Sequence, residues 1–450
     1  MLINFKFKNF KSFKNFQEFT MVAGPTKLNE DTLFEYKNSH ILKFSAFYGA
    51  NGSGKSNTLK AIEYMKDLVL GPYINNMMPF YYKLDKKCAE EPTYFEVTLL
   101  LNGHLYSYGF VYSSKYNKFM GEWLDCSDNK KDKEIFTRDF INDNHYYNDS
   151  YFGSIKNRIQ IYSEDAANSN TLLLSYLGRN AKQTLEKLPV LNEVYNWFNN
   201  SLVINESDIL ITSGGYFLTS EKIEKFQELL EYFGTGVKGI GKQYFPEEFA
   251  RAFIPNSLYE KIKENVNEHR SEEKYSSLWR IKNDIWEVVY EDEKFSFNKI
   301  CFYHDEGKEI PFDMSDESEG TVRLMDLAEI LLTDQENRVF IVDELDRKLH
   351  PVLTRRFIEK YKEKNKNTKN QLIVTTQDVS LMELTVLRRD EIWFAEKNKD
   401  GDSRIFSLED FKIRFDKKIL NDYLDGRYGA IPHFKGENIL IELIENQISK

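Results

Sequence analysis

Cysteine is scarce in this chain. Three occur in 450 residues, Cys88, Cys126 and Cys301, far apart and with no second cysteine at metal-ligand spacing. That excludes a disulfide framework and a zinc ribbon, and it points to a reducing, cytoplasmic setting. Proline (10) and glycine (22) are also few, so collagen-like and low-complexity disordered chains are excluded. No run of about 18 apolar residues occurs. The opening MLINFKFKNF has neither a signal-peptide core nor a cleavage pattern, so the expectation is a chain that is neither secreted nor membrane-spanning. Positive charge is in deficit, with 61 Lys and Arg against 71 Asp and Glu and a net charge of −10. A surface that coats nucleic acid or anionic lipid indiscriminately is thereby disfavoured, and any nucleic-acid contact would be a local patch.

What is present is an ordered globular composition, 41% hydrophobic and 15% aromatic, long enough for two or three domain-sized units. Phe5 and Phe7 alternate with Lys6 and Lys8, which reads as a strand. ILKFSAFY (41–48) is a buried strand running into a glycine-rich turn, and Leu59, Ile62, Met65 and Val69 then take helical spacing. TYFEVTLLL and LYSYGFVY flank Asn102-Gly103, a hairpin signal. Residues from about 125 to 170 read as polar surface loops. TLLLSYLG, VLNEVYNWFNN, EKIEKFQELLEYFG and SLYEKIKENVNEHRSEEK read as short helices, with no sustained heptads. In the last third, RVFIVDE and NQLIVTT are buried strands beside the helices VRLMDLAEILL and PVLTRRFIEKYKEK, an α/β rhythm with a parallel sheet.

Three motifs carry chemistry. Gly49, Ala50, Asn51, Gly52, Ser53, Gly54, Lys55 and Ser56 match G-x4-G-K-[ST] between a predicted strand and a predicted helix. Such a loop wraps backbone N–H groups around phosphates, with Lys55 for the β- and γ-phosphates and Ser56 for Mg²⁺. Val339 to Val342 followed by Asp343 and Glu344 is an apolar strand ending in two acids, where the Asp can serve a hydrated Mg²⁺ and the Glu an attacking water. Ser318 and Gly320 stand at the start of an apolar helix, which also fits a plain N-cap. Two weaker patterns lack the context their chemistry needs. Arg427 and His433 spell R-x5-H but are interrupted by Gly429 and Pro432, and His350 has no second histidine at ligand spacing. Lys6, Lys8, Lys11 and Lys14, with Arg355, Arg356, Lys360 and Lys362, form basic groups that read first as solvated faces.

In that order, P-loop, Ser-x-Gly helix start, acidic strand end, Leu345-Asp346 and a later strand ending in Thr-Thr, the chain resembles an ABC-type ATPase head. It is similar to the SMC and RecF-like group. The form GxNGSGKSN, the start NFKSF, the hairpin ending in SYGF, and the tail from Arg388-Arg389-Asp390-Glu391-Ile392-Trp393 through Tyr423 to Pro432 resemble an AAA-family ATPase of bacterial phage-defence and abortive-infection systems. Some members of that family work beside a separately encoded nuclease or toxin. The resemblance implies ATP and Mg²⁺ as ligands. Gly49, Asn51, Gly52, Ser53, Gly54, Lys55, Ser56 and Asn57 would hold nucleotide, Asp343 and Ser56 the metal, and Glu344 the water. Ser318 and Gly320 would cap the γ-phosphate of a second copy, with Asp346 at the seam, giving an ATP-sandwiched homodimer or higher homo-oligomer. Where the family usually has a γ-phosphate histidine this chain has Gln377, which can donate a hydrogen bond but carries no proton to give, so slow hydrolysis is implied. Gln160 is the candidate for the glutamine-bearing loop.

The expected fold is an α/β P-loop NTPase head of the ABC type, with a mixed sheet, an antiparallel β element and a mainly helical insertion. Its expected parts are an N-terminal lobe (1–125), an insertion or lid (126–300) and a C-terminal lobe (301–450). The expected function is an ATP-dependent switch in phage defence acting on a separate effector nuclease or toxin, since too few residues follow Glu344 for a nuclease domain in cis. Two rivals are a RecF-like DNA-repair clamp, which the acidic charge disfavours, and a slow or non-hydrolysing scaffold that sequesters a toxin, which Gln377 favours.

Overall fold

The computed structural model describes residues 1–26, 28–71, 79–126, 133–205, 220–269, 274–281, 284–307, 309–411 and 419–431. They form two compact units, one of Met1–Ile204, Glu336–Leu345 and Lys362–Lys450, the other of Asn205–Gln335 and Asp346–Tyr361. The chain begins with β1 (Leu2–Lys8), β2 (Gln17–Thr20), the hairpin β3 (Phe34–Tyr36) and β4 (Ser39–Ile41), then β5 (Phe44–Tyr48) and α1 (Lys55–Leu70). Next come β6 (Thr93–Leu101), β7 (His104–Ser113), β8 (Lys118–Cys126), β9 (Lys133–Asp139) and β10 (Asn144–Tyr147). Helices α2 (Asp149–Phe152), α3 (Lys156–Asn168), α4 (Leu173–Asn180), α5 (Lys182–Leu185) and α6 (Pro189–Asn196) lead to β11 (Leu202–Asn205). The second unit contains α7 (Ser220–Tyr232), β12 (Gly239–Phe245), α8 (Glu247–Phe253), α9 (Asn256–Glu268), β13 (Lys274–Ile281), β14 (Asp284–Glu291), β15 (Lys294–Tyr303) and α10 (Glu319–Leu332). After β16 (Val339–Val342) and α11 (Pro351–Lys364), the chain ends its described part with β17 (Gln371–Thr375), β18 (Ile392–Lys397), β19 (Ser403–Ser407) and α12 (Ile419–Leu424).

The first unit holds two large sheets. A six-stranded sheet has the order β11-β16-β17-β5-β18-β19, parallel from β16 through β18 and antiparallel at β18/β19. Every residue of β5, β16 and β17 is buried, as continuous apolar runs must be in a parallel sheet covered on both faces. A seven-stranded antiparallel sheet, β10-β9-β8-β7-β6-β1-β2, stands beside it in sequence and contains the Asn102-Gly103 hairpin, with φ of 47° and 82° at the two turn residues. One core joins Phe5, Phe7, Phe19 and Phe95 of the antiparallel sheet to Leu59, Ile62 and Met65 of α1 and to Ile341 and Ile373 of the parallel strands. Burying each such side chain contributes about 1.5–3 kcal/mol.

A buried ion pair ties strands to helices in this unit. Glu122 and Arg138 are both fully buried and meet at 2.7 Å. Glu122 also accepts from the Tyr108 hydroxyl and from the N–H groups of Leu173 and Leu174, which open α4 and have no partner within the helix. Arg138 donates in addition to the Ser163 carbonyl of α3. Burial and the neighbouring carboxylate push the Tyr108 phenol well above its ordinary value, so it stays a donor. Replacing Glu122 by Gln should leave Arg138 charged and uncompensated and cost about 3–5 kcal/mol. The measurement is the urea midpoint, and a loss below about 1 kcal/mol would show the network to be dispensable.

The second unit packs Ala250, Ile254, Tyr259 and Ile262 against Ile281, Trp286, Val288 and Phe297 of an antiparallel sheet ordered β12-β15-β14-β13. The helices expected between 171 and 300 are present as α4, α6, α7 and α9. The same stretch also carries a four-stranded sheet that the sequence reading does not contain. Its central hairpin turns at Asp292 and Glu293, both with positive φ, a left-handed pair built without the glycine or asparagine that would have signalled it. The loop reading of 125–170 is corrected: β9, β10, α2 and α3 lie there, and their few core residues, Ile135, Phe136, Tyr147, Phe152 and Ile159, are spaced among too many polar ones to show a period. Among the described residues no helix is long and apolar enough to cross a membrane.

Candidate nucleotide-binding site

The loop between β5 and α1 is held in a shape that only glycine allows at its ends. Gly49 has φ of 151°, and a Cβ there would sit 2.3 Å from the Ala395 carbonyl oxygen of β18. Gly54, which precedes the helix, has φ of 117°. The first turn of α1 contributes no acidic residue of its own, so its N–H groups and dipole suit an anion. Lys55 Nζ folds back onto the loop, 2.6 Å from the Gly49 carbonyl and 3.1 Å from that of Ala50. Ser53 Oγ is buried and has no hydrogen-bond partner among the described residues. A buried hydroxyl without a partner costs about 1–3 kcal/mol, and a phosphate in the loop would supply the acceptor. Asn51 and Gly52 are exposed at the loop's tip, and Asn57 donates to Ser12 Oγ at 2.9 Å. Lys11, Ser12, Asn57, Tyr64 and Tyr81 line a cleft of about 460 Å³ beside that contact.

The acidic strand end lies against this loop. Ser56 Oγ donates to Asp343 Oδ1 at 3.0 Å across 287 positions of sequence, because β17 pairs with β16 on one side and β5 on the other. A serine hydroxyl and a carboxylate side by side are hard oxygen donors of the kind Mg²⁺ takes, so the residues present fit that ion. Glu344 follows with φ of 52°, a left-handed conformation that a residue with a Cβ adopts only when its surroundings hold it there. Thr375, at the end of β17, touches both acids: its hydroxyl donates to Asp343 Oδ1 at 2.5 Å and accepts the Glu344 N–H at 2.7 Å. Sequence reasoning gave Thr375 no role. The available signal was a polar pair closing an otherwise apolar strand.

Lys55, Ser56, Asp343 and Glu344 are thus brought together, with Gln377 two residues beyond Thr375 and exposed. Ser318, Gly320 and Asp346 belong to the second unit. There Ser318 caps α10, its hydroxyl accepting the Thr321 N–H at 3.1 Å, and a Cβ on Gly320 would come 3.1 Å from the Lys348 carbonyl in the loop that follows Asp346. Gln160 is exposed on α3. His350 accepts the Val352 N–H at the start of α11, a capping position. Arg427 pairs with Asp422 at 2.6 Å, and His433 lies outside the described residues. Of the basic groups, Lys6 pairs with Glu96, Lys8 with Glu91, Lys14 with Asp85, and Arg355 with Glu359.

A glycine-shaped loop between a buried strand and a helix, with a lysine on the loop and the next serine facing an acidic strand end, defines a P-loop nucleotide-binding protein. A family described as "AAA domain, putative AbiEii toxin, Type IV TA system" matches residues 44–383, more than half of the chain, and the chain belongs to that family. It therefore carries an AAA-family ATPase domain. No curated protein matches the chain. Among solved structures it is similar to the SMC head domain from Thermotoga maritima, at 13% identity and a TM-score of 0.37 over 90% of this chain and 98% of that one. It is similar also to an SMC head bound to the C-winged helix domain of ScpA, at 13% identity and a TM-score of 0.39 over 90% and 97%.

Gly49→Ala should distort the loop, since the obstructing atom is a backbone oxygen that cannot turn aside. The expected result is a loss of at least about 2 kcal/mol in thermal unfolding together with loss of stabilisation by added ATP. A variant that melts like wild type and still gains from ATP would contradict this geometry.

Proposed function

We propose that the chain binds MgATP at the loop of residues 49–57 and hydrolyses it, as a switch that governs a separately encoded effector nuclease or toxin in antiviral defence. The observation that carries the reading is the Ser56–Asp343 contact, which sets a phosphate-binding helix start and an acid on one point from two distant parts of the chain. The family's description as part of a toxin–antitoxin system supports a partner encoded apart. When bound, Mg²⁺ would neutralise phosphate oxygens, with Ser56 and Asp343 holding it. Lys55 would leave the loop carbonyls for the phosphates, taking its positive charge to the oxygens on which charge develops. Glu344 would orient and polarise the attacking water. The cleft beside Asn57, with Tyr64 and Tyr81 among its walls, has the position and the aromatic lining for the base.

By resemblance of motif, Ser318 and Gly320 of a second copy would close over the γ-phosphate, so that ATP joins two chains and hydrolysis parts them. Asp346 would lie at that seam. Gln377 favours a second reading, in which turnover is slow and the ATP-bound dimer itself restrains the partner, because a neutral amide can bond a phosphate oxygen but cannot transfer a proton. Lys6, Lys8 and Lys14 are each paired with a carboxylate, which counts against a basic stripe built from these three residues.

Lys55→Ala should abolish ATP binding, whereas Glu344→Gln should bind ATP, lower turnover by about 10²-fold or more, and shift the chain to dimer. The check is equilibrium dialysis, phosphate release and light scattering on the two variants. Equal ATP retention in both would overturn the assignment of roles. Co-purification from the native operon with wild type and Glu344→Gln then tests the partner: a neighbour protein whose activity follows the ATP state supports the switch. A lone dimer with DNA-stimulated turnover would replace it with the repair clamp.

A further inference from the structure

We infer that Thr375 is the positioning residue of the acidic pair, a single side chain that fixes both Asp343 and Glu344 for hydrolysis. The inference rests on the ATPase reading above and adds to it a fully buried residue that acts through the two acids. Three consecutive chain positions end on Thr375. Its hydroxyl donates to Asp343 Oδ1 at 2.5 Å, the same hydroxyl accepts the Glu344 N–H at 2.7 Å, and its carbonyl accepts the Leu345 N–H at 3.0 Å. One hydroxyl has one proton to give and lone pairs to receive, so both bonds are satisfied at once.

The need for such a hook follows from the backbone. Glu344 stands at φ of 52°, one residue beyond Asp343, which itself follows a strand whose four residues are all buried. A residue with a Cβ does not hold the left-handed region unaided, and relaxation to extended backbone would carry the Glu344 carboxylate to the other side of the strand. Thr375 prevents this by gripping the amides on both sides of the turn, 344 and 345. It can do so because it is itself immobile: it is fully buried, aligned with Phe47 of β5, and the next residue, Thr376, donates its N–H to the Phe47 carbonyl at 3.1 Å. The bond to Asp343 acts on the metal side. Ser56 and Thr375 donate to the same oxygen, Oδ1, so two side chains restrain one end of the carboxylate. Thr375 therefore sets the relative orientation of the two acids.

Thr375→Val keeps the shape and removes the hydroxyl, Thr375→Ser restores the hydroxyl without the methyl, and Thr376→Val makes the same exchange at a hydroxyl that bonds the Asp378 N–H instead. Two readouts separate this inference from the ATPase reading. Hydrogen exchange of the peptide spanning 343–346 needs no turnover: the Glu344 amide should be protected in wild type, Thr375→Ser and Thr376→Val, and exchange at least about 10-fold faster in Thr375→Val. Single-turnover hydrolysis should fall roughly 10- to 100-fold in Thr375→Val with ATP affinity changed less than about 3-fold, and recover in Thr375→Ser. A Glu344 amide unprotected in wild type, or protected equally in Thr375→Val, overturns the hook whatever the turnover. Normal hydrolysis in Thr375→Val with a deprotected amide overturns its catalytic consequence. If wild type binds ATP without hydrolysing it, the ATPase reading falls, and the hook is decided by the exchange result alone.

Discussion

The pairing of three buried strands, β16, β17 and β5, is the constraint on which the site depends. Val342 aligns with Val374, and Thr375 with Phe47, so the acidic strand end and the phosphate loop emerge at the same edge of one sheet. A slip by a single residue would exchange side chains between two packed faces and carry Thr375 away from Asp343 and Glu344. The register is further pinned by Gln371, whose side-chain amide accepts the Leu2 N–H and donates to the carbonyls of Leu2 and Leu42, joining the first strand to the start of the sheet. A lysine, a serine and two acids far apart in sequence are thus brought to one end of a sheet by backbone hydrogen bonds.

How much of this was legible in sequence differs by kind of signal. The glycine loop, the hairpin at Asn102-Gly103 and the apolar strands announce themselves because each requires residue types that little else would explain. The β14/β15 hairpin was silent because Asp292 and Glu293 adopt positive φ without glycine, a cost that the pairing of their strands offsets. Strands β9 and β10 were silent for a different reason: their burial comes from an ion pair and a few aromatic contacts, and no hydrophobic period results. Thr375 was visible as a letter and invisible as a function, since its role exists only once β17 lies between β16 and β5.

The two kinds of polar burial here do different work. Glu122 and Arg138 are sealed away from solvent and make a fixed joint between sheet and helices. The acids of the site are only half-buried, and Ser56 Oγ meets Asp343 through a hydrogen bond at the open side, which a ligand can rearrange without breaking the core. Rigidity is placed in the scaffold and adjustability at the mouth, as a site that must bind and release requires.

The end of the described chain bears on how lesions in this protein should be interpreted. Tyr423 and Tyr428 stack on Phe394 of β18, Tyr423 packs edge-on against Tyr48, and Ala430 N–H bonds Glu396. The next residue of β18 after Phe394 is Ala395, whose carbonyl forms the floor under Gly49. The segment 419–430 is therefore a foundation of the phosphate loop. Inactive alleles recovered there by a genetic screen would have to be tested for a disturbed loop at Gly49 before they were mapped as a recognition surface.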